Sequence, residues 1–306
     1  MRILEAVCAA MLSPQKLKTV KRVLPRVSPH WVGDGFHVHP LFGDLAFTNE
    51  ISPFLMFDYG GPKQFEPTSK RRGVGTHPHR GMETVTIALQ GQVEHGDSIG
   101  NTGVIGPGEV QWMTAAHGII HEEYHSKEFA RTGGTFERCQ LWVNLPASQK
   151  LSPPKYQAIT NEDIPQVSLP NDAGWVRVIA GDFNGTKGKA STFTPINLWH
   201  VKLEAQQSVD LKTVDGHNSI VFCRSGTVQV GDSTETMKPA QIALLSLAGD
   251  GIRIRSLDEG CVLMILDGLP LNEPIAARGP FVMNTEEELR QAMVDYSQGK
   301  MGRGIV

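Results

Sequence analysis

Two short histidine clusters are where this chain could do chemistry. The first is His77-Pro78-His79. On an extended strand, residues two apart point to the same side. Two imidazoles so placed can reach one metal ion, and imidazole suits iron, copper, nickel and zinc alike. Pro78 cannot donate to a β ladder, so this segment belongs at a strand start, an edge or a bulge. Glu83 follows shortly after. The second cluster is His117-Gly-Ile-Ile-His121-Glu122-Glu123-Tyr124-His125. Its His121-Glu122-x-x-His125 fits the zinc-peptidase pattern, which requires a helix. Gly118, the β-branched Ile119-Ile120 and the upstream Pro107-Gly108 favour β structure instead. On a strand His121 and Glu123 share a side and Glu122 points away. His77, His79, His121 and Glu123 together give three imidazoles and one carboxylate. That mixed set suits a redox-active first-row metal with open positions for substrate and dioxygen. Burying the same cluster inside a barrel without an ion would be costly.

A second H-x-H, His37-Val38-His39, has no nearby acidic partner and reads as surface or packing histidines. Nine of the eleven histidines lie between His30 and His125, so one half of the chain carries the candidate site.

The elements that must position these residues are short strands. Gly and Pro, 32 and 19 in number, punctuate short apolar runs along the whole chain. Strands are expected at Thr84–Leu89, Cys139–Val143, Ile220–Cys223, Ile252–Arg255 and Val262–Leu266. Many short strands separated by turn signals indicate an all-β sandwich or barrel. One helix is marked at the C-terminus. Thr285 and Glu288 form a capping-box pattern, Leu289, Met293 and Tyr296 share a face, and Gly299 can end it.

The chain also repeats. Gly91–Ser98 and Gly226–Ser233 share a G-x-V-x-x-G-D-S frame. The polar, Pro-rich stretch from Pro146 to Pro170 between the copies suits a linker. Expected domains are 20–146, carrying the metal site, and 173–306, with 147–172 as linker. In the second copy the positions of His77, His79 and Glu83 fall on Lys212, Val214 and Asn218. Those of His121 and Glu123 fall on Arg253 and Arg255, so that copy is expected to bind no metal this way.

Composition sets the outer bounds. The chain has 306 residues, 40% hydrophobic and 20% charged, with a net charge of −3, an ordinary globular balance. That charge argues against a strongly basic nucleic-acid binder. No apolar run reaches the roughly 18 residues a membrane span needs. Cys8, Cys139, Cys223 and Cys261 form no C-x-x-C pair and read as reduced structural thiols. Arg2 and the apolar Ala6–Leu12 resemble a secretory leader only weakly, because Glu5 interrupts it. A cytoplasmic monomer is expected.

The motifs together resemble the pirin family, a branch of the cupins. They are His77-Pro-His-Arg-Gly-Met-Glu-Thr-Val-Thr, Gly106-Pro-Gly-Glu-Val-Gln-Trp-Met-Thr-Ala and Gly118-Ile-Ile-His-Glu-Glu. Trp31-Val-Gly-Asp-Gly-Phe and Gly279-Pro-Phe-Val-Met-Asn-Thr extend the likeness from about Val20 to the C-terminal helix. The resemblance implies a bicupin: two double-stranded β-helix barrels with a metal in the N-terminal one. Its metal ligands would be His77, His79, His121 and Glu123. The implied metal is one iron per chain, with nickel, copper, zinc, manganese or cobalt as substitutes. Glu83 would lie behind the ligands. The implied activity is that of a quercetinase, in which a flavonol ring is opened by dioxygen with loss of carbon monoxide. Glu123 would then be both ligand and proton acceptor. Two rivals stand behind that reading. One is a metal- and redox-sensing regulator that binds a protein partner. The other is a dioxygenase for a different ring with an acidic hydroxyl beside a carbonyl.

Overall fold

The computed structural model describes residues 15–44 and 50–302. Cys8 and the leader-like Ala6–Leu12 lie outside the described residues. The first half carries β1 (Val20–Leu24), β2 (His30–Val32), β3 (Phe36–Phe42), β4 (Phe54–Phe65), β5 (Gly73–His79) and β6 (Met82–Gln90). It continues with β7 (Val93–Asp97), β8 (Thr102–Ile105), β9 (Val110–Thr114), β10 (Ile119–His125), α1 (Lys127–Thr132), β11 (Gly134–Asn144) and β12 (Lys155–Ile159). The second half carries β13 (Gln166–Ser168), β14 (Gly174–Ala180), β15 (Asp182–Phe183), β16 (Thr186–Lys187), β17 (Ile196–Leu203) and β18 (Ser208–Lys212). After it come β19 (Asn218–Val230), β20 (Thr236–Met237), β21 (Gln241–Leu245), β22 (Gly251–Gly268), β23 (Ala276–Arg278), β24 (Phe281–Met283) and α2 (Glu286–Ser297).

The chain is all-β with one short C-terminal helix, as the alternation of its apolar runs dictates. Each expected strand lies within an observed one. Ile252–Arg255 and Val262–Leu266 are two ends of the single long strand β22. The two halves repeat one topology. The first large sheet runs β12-β9-β6-β11-β4-β3-β2 and the second β1-β21-β19-β22-β17-β14-β13. Position by position these are the same sheet. They differ where the first half breaks its strands. Gly91, at φ +76°, turns β6 into β7, and α1 separates β10 from β11. That frees a small sheet, β5-β10-β7-β8, from the large one. In the second half β19 and β22 run on unbroken.

Two edge strands come from elsewhere in the sequence. β1 precedes the first barrel but pairs with β21 of the second. β12 lies in the Pro-rich stretch between the copies and pairs with β9 of the first. The two large sheets meet face to face over one shared core. Phe57, Trp112 and Leu141 from one pack with Ile220, Phe222 and Leu266 from the other. Phe57 and Tyr59 both meet the Phe222 ring edge-on, at 5.3 and 4.9 Å.

The C-terminal segment returns to the first barrel. α2 begins with the expected capping box between Thr285 and Glu288. Leu289 and Ala292 bury against Ile120 of β10, together with Phe281, Met283 and Met301. Tyr296, expected on the apolar face, is 42% exposed. The apolar stripe is narrower than its spacing suggested, and Ala292 fills the gap. Arg80 Nη1 donates to Asp295 Oδ2 at 2.9 Å, clamping the helix beside the first histidine cluster.

Candidate metal centre

The small sheet assembles the site. β5 is its edge strand, which accommodates Pro78 without a lost ladder bond. β5 pairs antiparallel with β10, so that His121 faces His77 and Ile119 faces His79. The i, i+2 rule then places all three imidazoles on one side. Their rings lie 4.3 to 4.9 Å apart, centroid to centroid. One nitrogen from each falls within 4.8 Å of the others. Among the described residues this is the single group of its kind. Glu122 points outward to Arg71, at 2.8 Å, as expected for a strand and not for a peptidase helix.

The polar accounting of these rings fits a metal. Buried nitrogens normally find a partner. Yet both nitrogens of His121 and Nδ1 of His79 are buried without one. His77 Nδ1 meets the Gly75 carbonyl at 2.8 Å. Burial, and after it the neighbouring imidazoles, hold His79 and His121 well below the ordinary histidine value. They are therefore neutral at pH 7, the form that ligates a cation.

Glu123 lies two residues on, 4% exposed. Burial alone would raise its pKa, but Arg138 and the Thr86 hydroxyl outweigh that and lower it. Thr86 Oγ1 donates to Glu123 Oε1 at 2.8 Å, and Arg138 Nη1 stands 3.4 Å from the same oxygen. The carboxylate is thus ionised and held in place, but it lies outside the close group of three imidazoles. Neither Nε nor Nη1 of Arg138 has a hydrogen-bond partner, and its guanidinium lies 3.5 Å over the Phe36 ring. His95, opposite Glu123 on β7, bonds Tyr156 of β12.

Residue spacing alone does not single out Arg138, Thr86 or His95. A signal existed for Thr86. In Thr84-Val85-Thr86-Ile87 the apolar residues enter the shared core, while the threonines are buried on the other side. Polar residues buried on one face of a strand inside a barrel mark a site lining. His125 is buried among Phe36, Phe65, Phe129 and Phe136, with Nε2 on the Gly35 carbonyl at 2.9 Å. His117 supplies its carbonyl to Arg80 Nε at 2.6 Å. In the second half Arg253 grips Asp210 through two bonds of 2.7 Å, so an ion pair stands where His121 stands in the first.

Glu83 is outside the three-imidazole group. It is 1% exposed and accepts from Thr114 Oγ1 at 2.7 Å. Burial pushes its carboxyl up from 4.5 to about 7. Between those values the folded chain keeps a proton that the unfolded chain gives up, so stability falls as pH rises through that window. Glu83→Gln is expected to stabilise the metal-free protein at pH 8 by about 2 kcal/mol, with little difference at pH 5. Urea unfolding at both pH values checks this. An equal shift at both would show that the carboxyl does not titrate there.

Comparison with known proteins agrees with this architecture. The model of the Pirin family matches residues 35–143, and that of the Pirin C-terminal cupin domain matches 198–302. A Pseudomonas aeruginosa protein named "Putative quercetin 2,3-dioxygenase" is 49% identical, over 94% of this chain and 99% of its own. Human pirin is 37% identical, over 88% of this chain and 89% of its own. The crystal structure of an Acinetobacter baumannii quercetin 2,3-dioxygenase superposes with a TM-score of 0.91 at 46% identity, covering 95% of this chain and all of that one. An Escherichia coli bacterial pirin solved with nickel(II) shares the fold, with a TM-score of 0.60 at 20% identity, over 81% of this chain and all of its own. With two barrels of one topology, three imidazoles gathered in the first and relatives matched over nearly their full length, the chain belongs to the pirin family.

Proposed function

We propose that this protein is a metal-dependent dioxygenase of the quercetinase type, opening the central ring of a flavonol with release of carbon monoxide. His77, His79, His121 and Glu123 would hold one iron in the first barrel, with other divalent ions as substitutes. The observation that carries the reading is the close group of three imidazoles, with orphaned buried nitrogens on His79 and His121, near the ionised carboxylate of Glu123. The names of the Pseudomonas and Acinetobacter relatives support the choice of substrate class. The nickel complex of the distant bacterial pirin is consistent with a divalent ion of more than one identity.

A bound metal would supply Lewis acidity toward the flavonol 3-hydroxyl and an electron partner for dioxygen. The chain's own part is positional and protic. Three imidazoles on two paired strands would set the ligand geometry. Glu123 stays ionised at neutral pH because Arg138 and Thr86 stabilise the anion, so it can accept the hydroxyl proton. Arg138 keeps unused donors beside it, and these can hold the carboxylate in place as its charge is spent.

Glu123→Ala is expected to lower turnover by about 100-fold or more, even where some metal is retained. Steady-state quercetin consumption alongside metal analysis checks it. Full turnover in that variant would remove Glu123 from the reaction.

A further inference from the structure

A cleft of about 660 Å3 opens between the two barrels, away from the three imidazoles. One wall is the first barrel, with His37, His39, Tyr59 and Lys63. The other is Arg224 and its neighbours on the second, and Arg26 comes from the β1–β2 connection. The second H-x-H of the sequence therefore faces this cleft.

The charges in the cleft do not balance. Its single lining acid, Glu137, is 1% exposed and already saturated. It accepts from Tyr59 Oη at 2.7 Å, Gln90 Nε2 at 2.8 Å, and Arg224 Nε and Nη2 at 2.8 and 2.6 Å. Arg224 is thereby neutralised. Arg26 is not. Its Nη2 stands 2.9 Å from His39 Nε2, while His39 Nδ1 meets the Val27 carbonyl at 2.7 Å. A carbonyl only accepts, so Nδ1 must carry the proton and Nε2 must accept from Arg26. His39 is thus a neutral ring that aims the guanidinium without cancelling its charge. Lys63 has no carboxylate within ion-pair distance among the described residues, and its Nζ lies 5.4 Å over the Trp31 ring. Two uncompensated cations therefore line a half-enclosed cleft, where an anion is attracted more strongly than on an open surface.

We propose that this cleft is a second ligand site, which takes a small organic oxyanion, a carboxylate or a phosphate ester, with its charge on Arg26 and Lys63. The cleft volume suits a small metabolite and not a macromolecule. The site is independent of the metal reading. Glu137 and Arg138 are neighbours on β11, yet the first lines this cleft and the second reaches Glu123. The two sites therefore share a strand and no side chain.

Trp31 supplies a readout. It is 48% exposed and its ring lies 4.9 Å from that of His37. Inorganic phosphate and succinate would be titrated at constant ionic strength, followed by calorimetry and tryptophan fluorescence. Saturable binding is expected, with a fluorescence change that Trp31→Phe abolishes. Lys63→Glu and Arg26→Ala should each weaken it by about tenfold or more, while Lys187→Glu, on the exposed β16 of the second barrel, should not. Tighter phosphate or tighter succinate binding would each support the site and say which oxyanion it prefers. Binding should persist in His121→Ala. Three outcomes overturn the inference: no saturation up to about 10 mM, equal weakening by Lys187→Glu, or loss of binding in His121→Ala, which would place the anion at the imidazoles.

Discussion

His121→Ala is expected to abolish the stoichiometric iron binding proposed for the parent, and with it the thermal stabilisation that such binding would confer. The imidazole of His121 has both nitrogens buried and unpartnered, so it has the fewest alternatives to a metal among the three rings. Removing one of the four proposed ligands weakens a site steeply, because two remaining rings and a carboxylate cannot close the coordination shell. Occupancy should fall from about one iron per chain to background. A ligand that binds only the folded state raises its stability by about 2.7 kcal/mol at 100 times its Kd, so the parent should melt higher with iron and the variant should not. The metal-free variant should be no less stable than the metal-free parent, since it has lost two unsatisfied buried nitrogens. Metal analysis and melting curves with and without iron check both halves. Undiminished iron in the variant would place the metal elsewhere.

Lys150→Met should destabilise the fold by about 3 to 5 kcal/mol. Lys150 is 2% exposed. Its ammonium donates to the Gly81 carbonyl, Asn144 Oδ1 and the Val282 carbonyl, at 2.8, 2.6 and 2.9 Å. Burial lowers its pKa to about 7, the cost of holding a cation there. Methionine fills the volume but leaves three acceptors dry, and that asymmetry dominates. The effect should reach the metal centre. Val282 is on β24, and its amide donates to the carbonyl of Arg80, the residue after His79, at 3.0 Å. Freed of Lys150, the returning segment should exchange its amide hydrogens faster and iron should bind more weakly. Denaturant unfolding with hydrogen exchange over residues 276–302 tests this. A loss below about 1 kcal/mol would mean that water replaces the ammonium at little cost.

How far the sequence revealed this protein depends on the range of the signal. The strands were legible because alternation is local. His77, His79 and His121 were legible as one group because strand periodicity decides which side chains share a face, and the structure gathers those three. The same logic set Glu122 apart, and the structure turns it outward to Arg71. Pairing between distant strands leaves no local trace. Nothing in Val20–Leu24 says that it completes the second barrel, nor in Lys155–Ile159 that it completes the first. Arg138 was hidden for a related reason. It sits within the strand that contains the legible run Cys139–Val143, and only the fold shows that it stands beside Glu123. The two H-x-H pairs are alike in pattern and differ in place. One lies on an edge strand facing His121, the other beside a cleft where Arg26 and Lys63 are the partners.

The proposal that the three imidazoles and Glu123 serve an oxygen-dependent cleavage is tested most directly by one incubation. Quercetin is mixed in air with the iron-loaded protein, and evolved carbon monoxide is quantified against flavonol consumed. Many turnovers are expected, with carbon monoxide matching the flavonol lost and no reaction without dioxygen or in His121→Ala. No turnover by protein that demonstrably holds its iron would contradict the proposal, and would favour a regulatory role played through a protein partner.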